Sequence, residues 1–221
     1  MTNLQKRILT STLLFLLVIF CIFINWPIYI LTIIIVSGIA LNEIAILIWR
    51  IEKSTSTKNW IPFRLISFIY IFFIFFPMAG SFYSSGPVFI FYILLVCIFS
   101  DIGGYAIGKI IGGKRLTTIS PNKTISGSLG SFVFSTIPLL LFNLQNYTKA
   151  SFEVLSINIV FCLIVSLICQ LGDLLISYFK RLNKVKDTGT ILPGHGGLLD
   201  RIDGLIFAIP TVYILKITQI F

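Results

Sequence analysis

Residues 27–49 read PIYILTIIIVSGIALNEIAILIW, an apolar run in which Glu43 is the one charged side chain. At about 1.5 Å of rise per residue, a helix of this length crosses the ~30 Å hydrocarbon layer of a membrane. Similar runs occur at 8–25, 62–79, 87–109, 127–143, 153–176 and 204–220. Together they predict an all-α polytopic membrane protein with about seven transmembrane helices.

The composition excludes several other classes of protein. Of the 221 residues, 57% are hydrophobic and 11% are charged, against about 45–50% and about 25% in soluble domains. This balance excludes a soluble globular protein, a disordered chain and a secreted disulfide scaffold. The net charge of +9 does not indicate nucleic-acid binding, because the Lys and Arg residues lie between the spans or near their ends. All four cysteines lie inside predicted spans, where we expect them to be small packing residues.

The distribution of basic residues predicts the orientation. If the N-terminus is cytoplasmic, all of the 17 Lys and Arg residues except Lys149 and Lys216 fall on the cytoplasmic side. Cytoplasmic loops carry an excess of Lys and Arg. We therefore expect a cytoplasmic N-terminus, an external C-terminus and an active site at the cytoplasmic face.

Three carboxylates, those of Glu43, Asp101 and Asp173, interrupt apolar runs. An ionisable group in hydrocarbon costs about 2.5–3.5 kcal/mol on insertion scales, so it normally faces a cavity or a partner. For Glu43 we expect a structural partner, an Asn or Lys of a neighbouring helix. Asp101 is followed by Gly103, Gly104 and Gly108, which would let two helices approach closely.

The segment Ser120-Pro121-Asn122-Lys123-Thr124 lies in a predicted cytoplasmic loop. Its hydroxyls and ammonium group suit phosphate oxygens. The same residues are also ordinary turn formers.

Residues 170–204 are the densest polar segment. Acidic and basic residues are mixed in a glycine-rich stretch that begins at Gln170 and ends at Gly204. Such a mixture suits an anionic substrate that arrives with a divalent cation, which carboxylates hold and cations complement. Asp200 and Asp203 are three residues apart, on one helix face, and Asp173 lies at a similar depth on another helix, so they predict a metal site. The alternative is that Asp200 or Asp203 caps a helix and that the cations anchor the protein at the membrane.

These residues resemble a known family, the phosphatidate cytidylyltransferases (CDP-diacylglycerol synthases). The pattern that carries the resemblance is Ser177-x-x-Lys180-Arg181, then four residues, then Lys186-Asp187-x-Gly189-x-x-Leu192-Pro193-Gly194-His195-Gly196-Gly197-x-x-Asp200-Arg201-x-Asp203. Gln170-Leu-Gly-Asp173 and the stretch from Asp101 to Thr124 are similar to further family segments. One departure is Ser126, which stands where such enzymes usually carry Glu.

The resemblance implies transfer of CMP from CTP to phosphatidate in phospholipid biosynthesis, with release of pyrophosphate. It implies a single catalytic domain, 1–221, with N-terminal spans over about 8–79 and a catalytic half over about 87–221, in the cell inner membrane. The expected cofactor is Mg²⁺, held by Asp173 and Asp200, and a second ion is left open between a divalent cation and K⁺. A homodimer is compatible with a small membrane enzyme of this type.

The resemblance also implies roles for individual residues. The expected catalytic residues are Asp173, Lys180, Arg181, Lys186, Asp187, His195, Asp200, Arg201 and Asp203. The expected substrate-binding residues are Asp101, Ser120, Lys123, Thr124, Ser177, Gly194, Gly196 and Gly197. From its chemistry alone, His195 is equally suited to a turn, a phosphate contact or proton donation.

Other functions stay open at this point. A CTP-dependent polyprenol or phytol kinase, or a related CDP-lipid synthase, would need a similar group of charged residues at the membrane surface. A transporter would need polar groups along a whole crossing, whereas here they concentrate near one face. A scaffold protein would need none of the charged cluster.

Overall fold

The computed structural model describes residues 3–55, 61–144, 159–192 and 196–218. Within these ranges the regular structure is helical, and the β-structure consists of two isolated bridges. The helices are α1 (Asn3–Phe23), α2 (Trp26–Thr55), α3 (Ile61–Ile111), α4 (Ile125–Phe134), α5 (Ile137–Leu144), α6 (Ile159–Leu182), α7 (Leu199–Ile202) and α8 (Leu205–Ile217). The predicted all-α class is confirmed.

Four described segments are long and apolar enough to cross a membrane, which makes this a multi-pass membrane protein. They are Trp26–Ile51, Ser85–Ile111, Ile125–Phe142 and Ile159–Leu182. The predicted first and last spans correspond to shorter apolar helices, Thr12–Phe23 and Leu205–Ile217. The predicted span 62–79 falls in the first half of α3. The total of seven spans stays a prediction.

The boundary between the third and fourth predicted spans is sharper than expected. The predicted spans end at 79 and begin again at 87, so residues 80–86 were expected to form a loop between them. The chain is instead helical through Ser85 and leaves helical dihedrals at Gly86, where φ is 78° and ψ is 172°. Glycine tolerates this positive φ because it has no Cβ. Pro87 follows, and proline suits the first turn of a new helix.

The core joins the second half of α3 to α5, α6 and α8. Its buried side chains include Tyr92, Val96, Phe161, Val165 and Val212. Cys97, Cys162 and Cys169 are buried free thiols, as expected of packing residues. Ser100 and Ser166 share a buried hydrogen bond of 2.8 Å between α3 and α6. These contacts fix the two helices that carry Asp101 and Asp173.

Glycines bring α3 and α4 together, which confirms the predicted close approach. A Cβ atom at Gly103 would lie 2.6 Å from the carbonyl oxygen of Gly130, and one at Gly130 would lie 2.7 Å from the carbonyl oxygen of Gly103. Neither position has room for a side chain. The contact holds α4 against the part of α3 that carries Asp101.

Candidate active site

A cavity of about 330 Å³ with several polar side chains in its wall opens between α3, α4 and α6. Its volume is within the range of about 300–1,000 Å³ that is usual for small-molecule sites. Its wall contains Asp101 from α3, Gln170 and Asp173 from α6, and residues of the loop that precedes α4. The loop contributes Leu116, Ser120, Asn122, Lys123 and Thr124. Two segments that are far apart in sequence, both predicted to bind substrate or metal, therefore share one cavity.

Asp173 is held by contacts on both of its oxygens. Its Oδ2 forms an ion pair with Lys123. Its Oδ1 accepts a 3.3 Å hydrogen bond from the Ser177 hydroxyl, one helical turn further along α6. The hydroxyl of Ser177 thus supports Asp173, and the expected role of Ser177 in binding substrate stays a prediction.

The loop before α4 is shaped by backbone hydrogen bonds. The Leu116 N–H donates to the Lys123 carbonyl at 2.8 Å, and the Ile125 N–H donates to the Lys114 carbonyl at 3.0 Å. Thr124 caps α4, because its hydroxyl oxygen accepts from the Gly127 N–H at 3.0 Å. This folding holds Lys123 at the cavity.

Ser126 also supports this loop. Its hydroxyl lies 3.0 Å from the Thr124 hydroxyl and donates to the Gly112 carbonyl. The residue that departs from the family pattern therefore ties the start of α4 to the chain just after α3.

A second group of polar contacts surrounds Asp200, whose side chain is 6% exposed. Its Oδ1 accepts a hydrogen bond from the Lys180 ammonium at 2.8 Å. Its Oδ2 accepts from the backbone N–H groups of Thr188 and Gly197, at 2.8 and 3.0 Å, and lies 3.0 Å from the Thr188 hydroxyl. We call Lys180, Thr188, Gly197 and Asp200 the Asp200 cluster. Burial opposes ionisation of Asp200, but the Lys180 ammonium and these N–H donors outweigh it and lower the pKa of the carboxyl below its ordinary value.

Asp203 is affected by charges of both the cavity and the Asp200 cluster. Burial, followed by the negative charges of Asp173 and Asp101, raises the pKa of Asp203 to about 8, although the Lys180 ammonium opposes the change. The carboxylates of three helical segments are therefore close enough to interact. The predicted metal site of Asp173, Asp200 and Asp203 stays a prediction.

The capping alternative for the two aspartates is not supported. The N-cap residues of α7 and α8 are Leu198 and Gly204, and neither has a side-chain capping bond. The Asp203 carboxylate does accept a 2.9 Å hydrogen bond from the Gly204 N–H. Asp200 instead binds Thr188 and Gly197, which lie between α6 and α7. We call the described residues between these helices, 183–192 and 196–198, the signature loop.

Other predicted site residues lie at the edge of these groups. Arg181, Lys186, Asp187 and Arg201 are exposed, and the described cavity wall includes none of them. Gly196 adopts a positive φ of 85° and pairs with Leu192 through two backbone hydrogen bonds of 2.9 and 3.2 Å. Gly194 and His195 lie outside the described residues, so their predicted roles stay predictions.

The hydrogen-bond partners of Glu43 differ from those that the sequence predicted. Its partners are the Thr188 hydroxyl and the backbone N–H groups of Leu198 and Leu199, at 2.8, 2.9 and 2.9 Å. The expected Asn or Lys partner on a neighbouring helix is therefore wrong. The available signal was a carboxylate inside an apolar run, which indicates a partner but does not identify it.

The donor set fits a magnesium ion at the cavity. Mg²⁺ is usually held by one or two carboxylates together with waters and substrate phosphates, and Asp101 and Asp173 supply such oxygens to one cavity wall. Within the described ranges, no three acidic, His or Cys side chains form a ready-made metal cage. The predicted ligand Asp200 keeps its Oδ1 beside Lys180, while its Oδ2 is surrounded by donors. The predicted pair of ligands stays a prediction.

Comparison with known proteins gives consistent results. A model of the cytidylyltransferase family matches residues 45–218. The phosphatidate cytidylyltransferase of Bacillus subtilis (strain 168) is 34% identical over 189 residues, which are 81% of this chain and 69% of that protein. The protein of the same name from Staphylococcus aureus (strain COL) is 43% identical over 136 residues, 61% of this chain and 51% of its own. The chain thus spans about half the length of the staphylococcal relative.

The family match includes the described residues of the cavity and the whole Asp200 cluster, and Glu43 lies just before it. Since the match covers most of the sequence, this chain belongs to the cytidylyltransferase family.

Proposed function

We propose that this chain transfers CMP from CTP to phosphatidate, forming CDP-diacylglycerol and releasing pyrophosphate. The observation that carries the proposal is the 34% identity to a protein named phosphatidate cytidylyltransferase over 81% of this chain. The contents of the site support it, because both groups of polar residues combine carboxylates with lysines. Such groups suit phosphates that are brought together with a metal ion.

The reaction forms one bond and breaks one. An oxygen of the phosphatidate phosphate attacks the α-phosphorus of CTP, and the bond from that phosphorus to the pyrophosphate oxygen breaks. The nucleophile is already ionised at neutral pH, so the protein needs no strong general base. The main task is to hold two anions together in line, an orientation effect of several kcal/mol.

The lysines would meet this charge. Lys123, at the cavity beside Asp173, is placed to contact a phosphate that enters there. Lys180, two helical turns after Asp173 on α6, would hold Asp200 and face incoming phosphates from the Asp200 cluster. Arg181, Lys186 and Arg201 are exposed near this mouth and would attract both anionic substrates.

We propose Mg²⁺ as the cofactor, with Asp173 and Asp200 as its ligands. Bound there, it would neutralise charge on the α-phosphate and on the departing pyrophosphate. Asp101 lines the same cavity as Asp173 and would add negative charge that favours cation binding. A second ion, divalent or K⁺, and a homodimer remain part of the proposal.

The membrane arrangement belongs to the proposal as well. Seven spans would place the N-terminus in the cytoplasm, the C-terminus outside and the site at the cytoplasmic face of the inner membrane. The acyl chains of phosphatidate would stay in the bilayer while its headgroup reaches the cavity. The signature residues that follow Leu182, where α6 ends, would then lie at that surface.

The test is a reconstitution assay. Purified protein in lipid vesicles with Mg²⁺ should convert CTP and phosphatidate into a CDP-lipid and pyrophosphate in equal amounts. A CTP-dependent lipid kinase would release CDP instead, so the nucleotide product decides between the two. Formation of CDP without pyrophosphate, across a panel of lipid acceptors, would overturn the proposal.

Asp173→Asn and Asp200→Asn should each reduce turnover to background. Each removes a charge that we assign to the metal while it keeps the size of the side chain. Expression, membrane insertion and thermal unfolding serve as controls for the fold. Wild-type turnover in both variants would rule out the proposed ligands, even if the reaction itself were observed.

A further inference from the structure

Glu43 places a carboxylate from α2 against the signature loop. Its side chain is buried, and the residue is 2% exposed. Its Oε1 accepts the N–H of Leu198, and its Oε2 accepts the N–H of Leu199 and lies 2.8 Å from the Thr188 hydroxyl. These partners lie about 150 residues further along the chain, beyond the cavity residues. Glu43 therefore joins the N-terminal helices to the end of the signature loop.

Thr188 connects Glu43 to Asp200. Its hydroxyl oxygen lies 2.8 Å from Glu43 Oε2 and 3.0 Å from Asp200 Oδ2, and its backbone N–H donates to the same Asp200 oxygen at 2.8 Å. Asp200 in turn binds Lys180 through its other oxygen. The contacts form one continuous chain from α2 to α6, with Thr188 and Asp200 in its middle.

The backbone comes so close to Glu43 that two signature glycines have no room for a side chain. A Cβ atom at Gly189 would lie 2.8 Å from Glu43 Oε1, and one at Gly197 would lie 2.5 Å from Glu43 Oε2. Gly197 also donates its N–H to Asp200. The shape of the loop is thus fitted to both acids at once.

A carboxylate is the side chain that this position requires. The two N–H groups point at different oxygens of Glu43, so both oxygens must accept. Glutamine has one acceptor oxygen, and its NH₂ group would face an N–H donor. A buried donor that loses its acceptor costs about 1–3 kcal/mol. An amide at position 43 would therefore displace part of the loop.

We infer that Glu43 is a positioning residue: it holds the signature loop, and through Thr188 the carboxylate of Asp200, in the arrangement that the transfer reaction needs. The inference rests on the proposed function for its catalytic consequence. Its structural part, the position of the loop, has a separate readout. Glu43 lies outside the residues that the family model matches, which begin at 45.

The first experiment compares Glu43→Gln with Asn42→Ala in the full chain. Asn42 is the exposed neighbour of Glu43 on α2, so its replacement tests a change in the same helix without the loop contact. We expect Glu43→Gln to lower kcat about 10- to 100-fold, the usual effect of losing a residue that orients a metal ligand, with a much smaller change in the KM for CTP. Asn42→Ala should retain wild-type kcat.

A second readout does not depend on activity. Hydrogen–deuterium exchange followed by mass spectrometry should show faster exchange in the segment of Leu198 and Leu199 in Glu43→Gln, because one of the two amides loses its acceptor and the loop is displaced. Leu47→Ala, which removes a buried side chain of α2, should lower the melting temperature but leave exchange at these amides unchanged. A merely structural role of Glu43 would make the two variants alike.

Thr188 provides the independent test if Glu43→Gln fails to fold. Thr188→Val removes the hydroxyl at constant shape and should lower kcat, whereas Thr188→Ser keeps the hydroxyl and should recover most of the lost turnover. In the Glu43→Gln/Thr188→Val double variant the losses should be smaller than the sum of the single effects, because both act on Asp200.

The outcomes separate the inference from the proposed function. Wild-type kcat and wild-type exchange in Glu43→Gln, or equal kcat in Thr188→Val and Thr188→Ser, would overturn the inference while CMP transfer stands. If the wild-type chain makes no CDP-lipid, the proposed function fails. Faster exchange in Glu43→Gln alone would still support the positioning of the loop in that case.

Discussion

Asp203 shows how the charge of one residue depends on side chains from other helices. It is buried near Asp173 and Asp101, and both negative charges favour the neutral form of its carboxyl. The Lys180 ammonium opposes these two charges and favours the ionised form. The proton on Asp203 should therefore respond to anything that adds or removes charge in the cavity.

Replacing Asp203 with Asn should change how stability depends on pH. In the folded protein the pKa of Asp203 is about 8, above its ordinary value of 3.8. The folded state thus keeps a proton that the unfolded state releases, and wild-type stability should fall as pH rises between these two values. Asp203→Asn should lack this loss.

The measurement is the melting temperature of both proteins without magnesium from pH 4 to pH 8. The expected result is that Asp203→Asn gains stability over the wild type as the pH rises. A difference that stays constant with pH, or that changes in the opposite direction, would contradict the raised pKa.

Single residues were predictable where a local pattern identified them. The motif around Asp101, the Ser120–Thr124 segment and Gln170–Asp173 pointed to chemistry, and the structure brings all three to one cavity wall. The partners of Glu43 were not predictable, because two of them are backbone N–H groups separated from it by 155 and 156 residues. Every residue carries an N–H, so no side-chain pattern marks them.

Helices were predictable from apolar runs, but their breaks were not. The predicted span 127–143 is divided into α4 and α5, since Pro138 has no N–H and its ring disfavours a continuous helix. The expected loop at 80–86 is reduced to one non-helical residue, Gly86. In both places one residue with special backbone properties decides the local path, whereas hydropathy averages over many residues.

The packing of α3 on α4 leads to a prediction at the level of elements. Gly103→Ala should destabilise the protein by about 1–3 kcal/mol, a typical cost of overpacking, because the added Cβ would lie 2.5 Å from Phe134 Cβ and 2.6 Å from the Gly130 carbonyl. Gly38→Ala in α2 is the matched control, since its Cβ would meet nothing within 4 Å.

Thermal unfolding in detergent measures both variants. Gly103→Ala should also lose CTP binding in proportion to the displacement of α4, because Lys123 lies in the loop that leads directly into this helix. Equal melting temperatures for the two variants would show that the interface is looser than the glycine contacts indicate.

The whole molecule should have a single orientation in the membrane. Of the 17 basic residues, 15 lie in the predicted cytoplasmic set and two, Lys149 and Lys216, lie outside it, a bias that normally sets topology. Tags at the two ends should therefore be accessible from opposite sides, the N-terminal tag from the cytoplasm. Protease accessibility in inside-out and right-side-out vesicles measures this, and labelling of both tags from one side would contradict an odd number of spans.

At this scale the family and the helical class followed from sequence, because the signature is long and local. The assembly of the site did not, because it depends on how α2, α3, α4 and α6 are packed. The close approach at Gly103 and Gly130 and the buried Ser100–Ser166 pair fix that packing. The spacing of the charged residues predicts neither of these contacts.

The contact of Glu43 with Leu198 and Leu199 also has a consequence for engineering hybrids of such proteins. Glu43 and the two amides that it accepts come from opposite ends of the chain. Replacing the first two helices with those of a relative would therefore replace the carboxylate that holds the signature loop. A functional chimera therefore has to inherit both halves of this contact from one parent, or have them redesigned together.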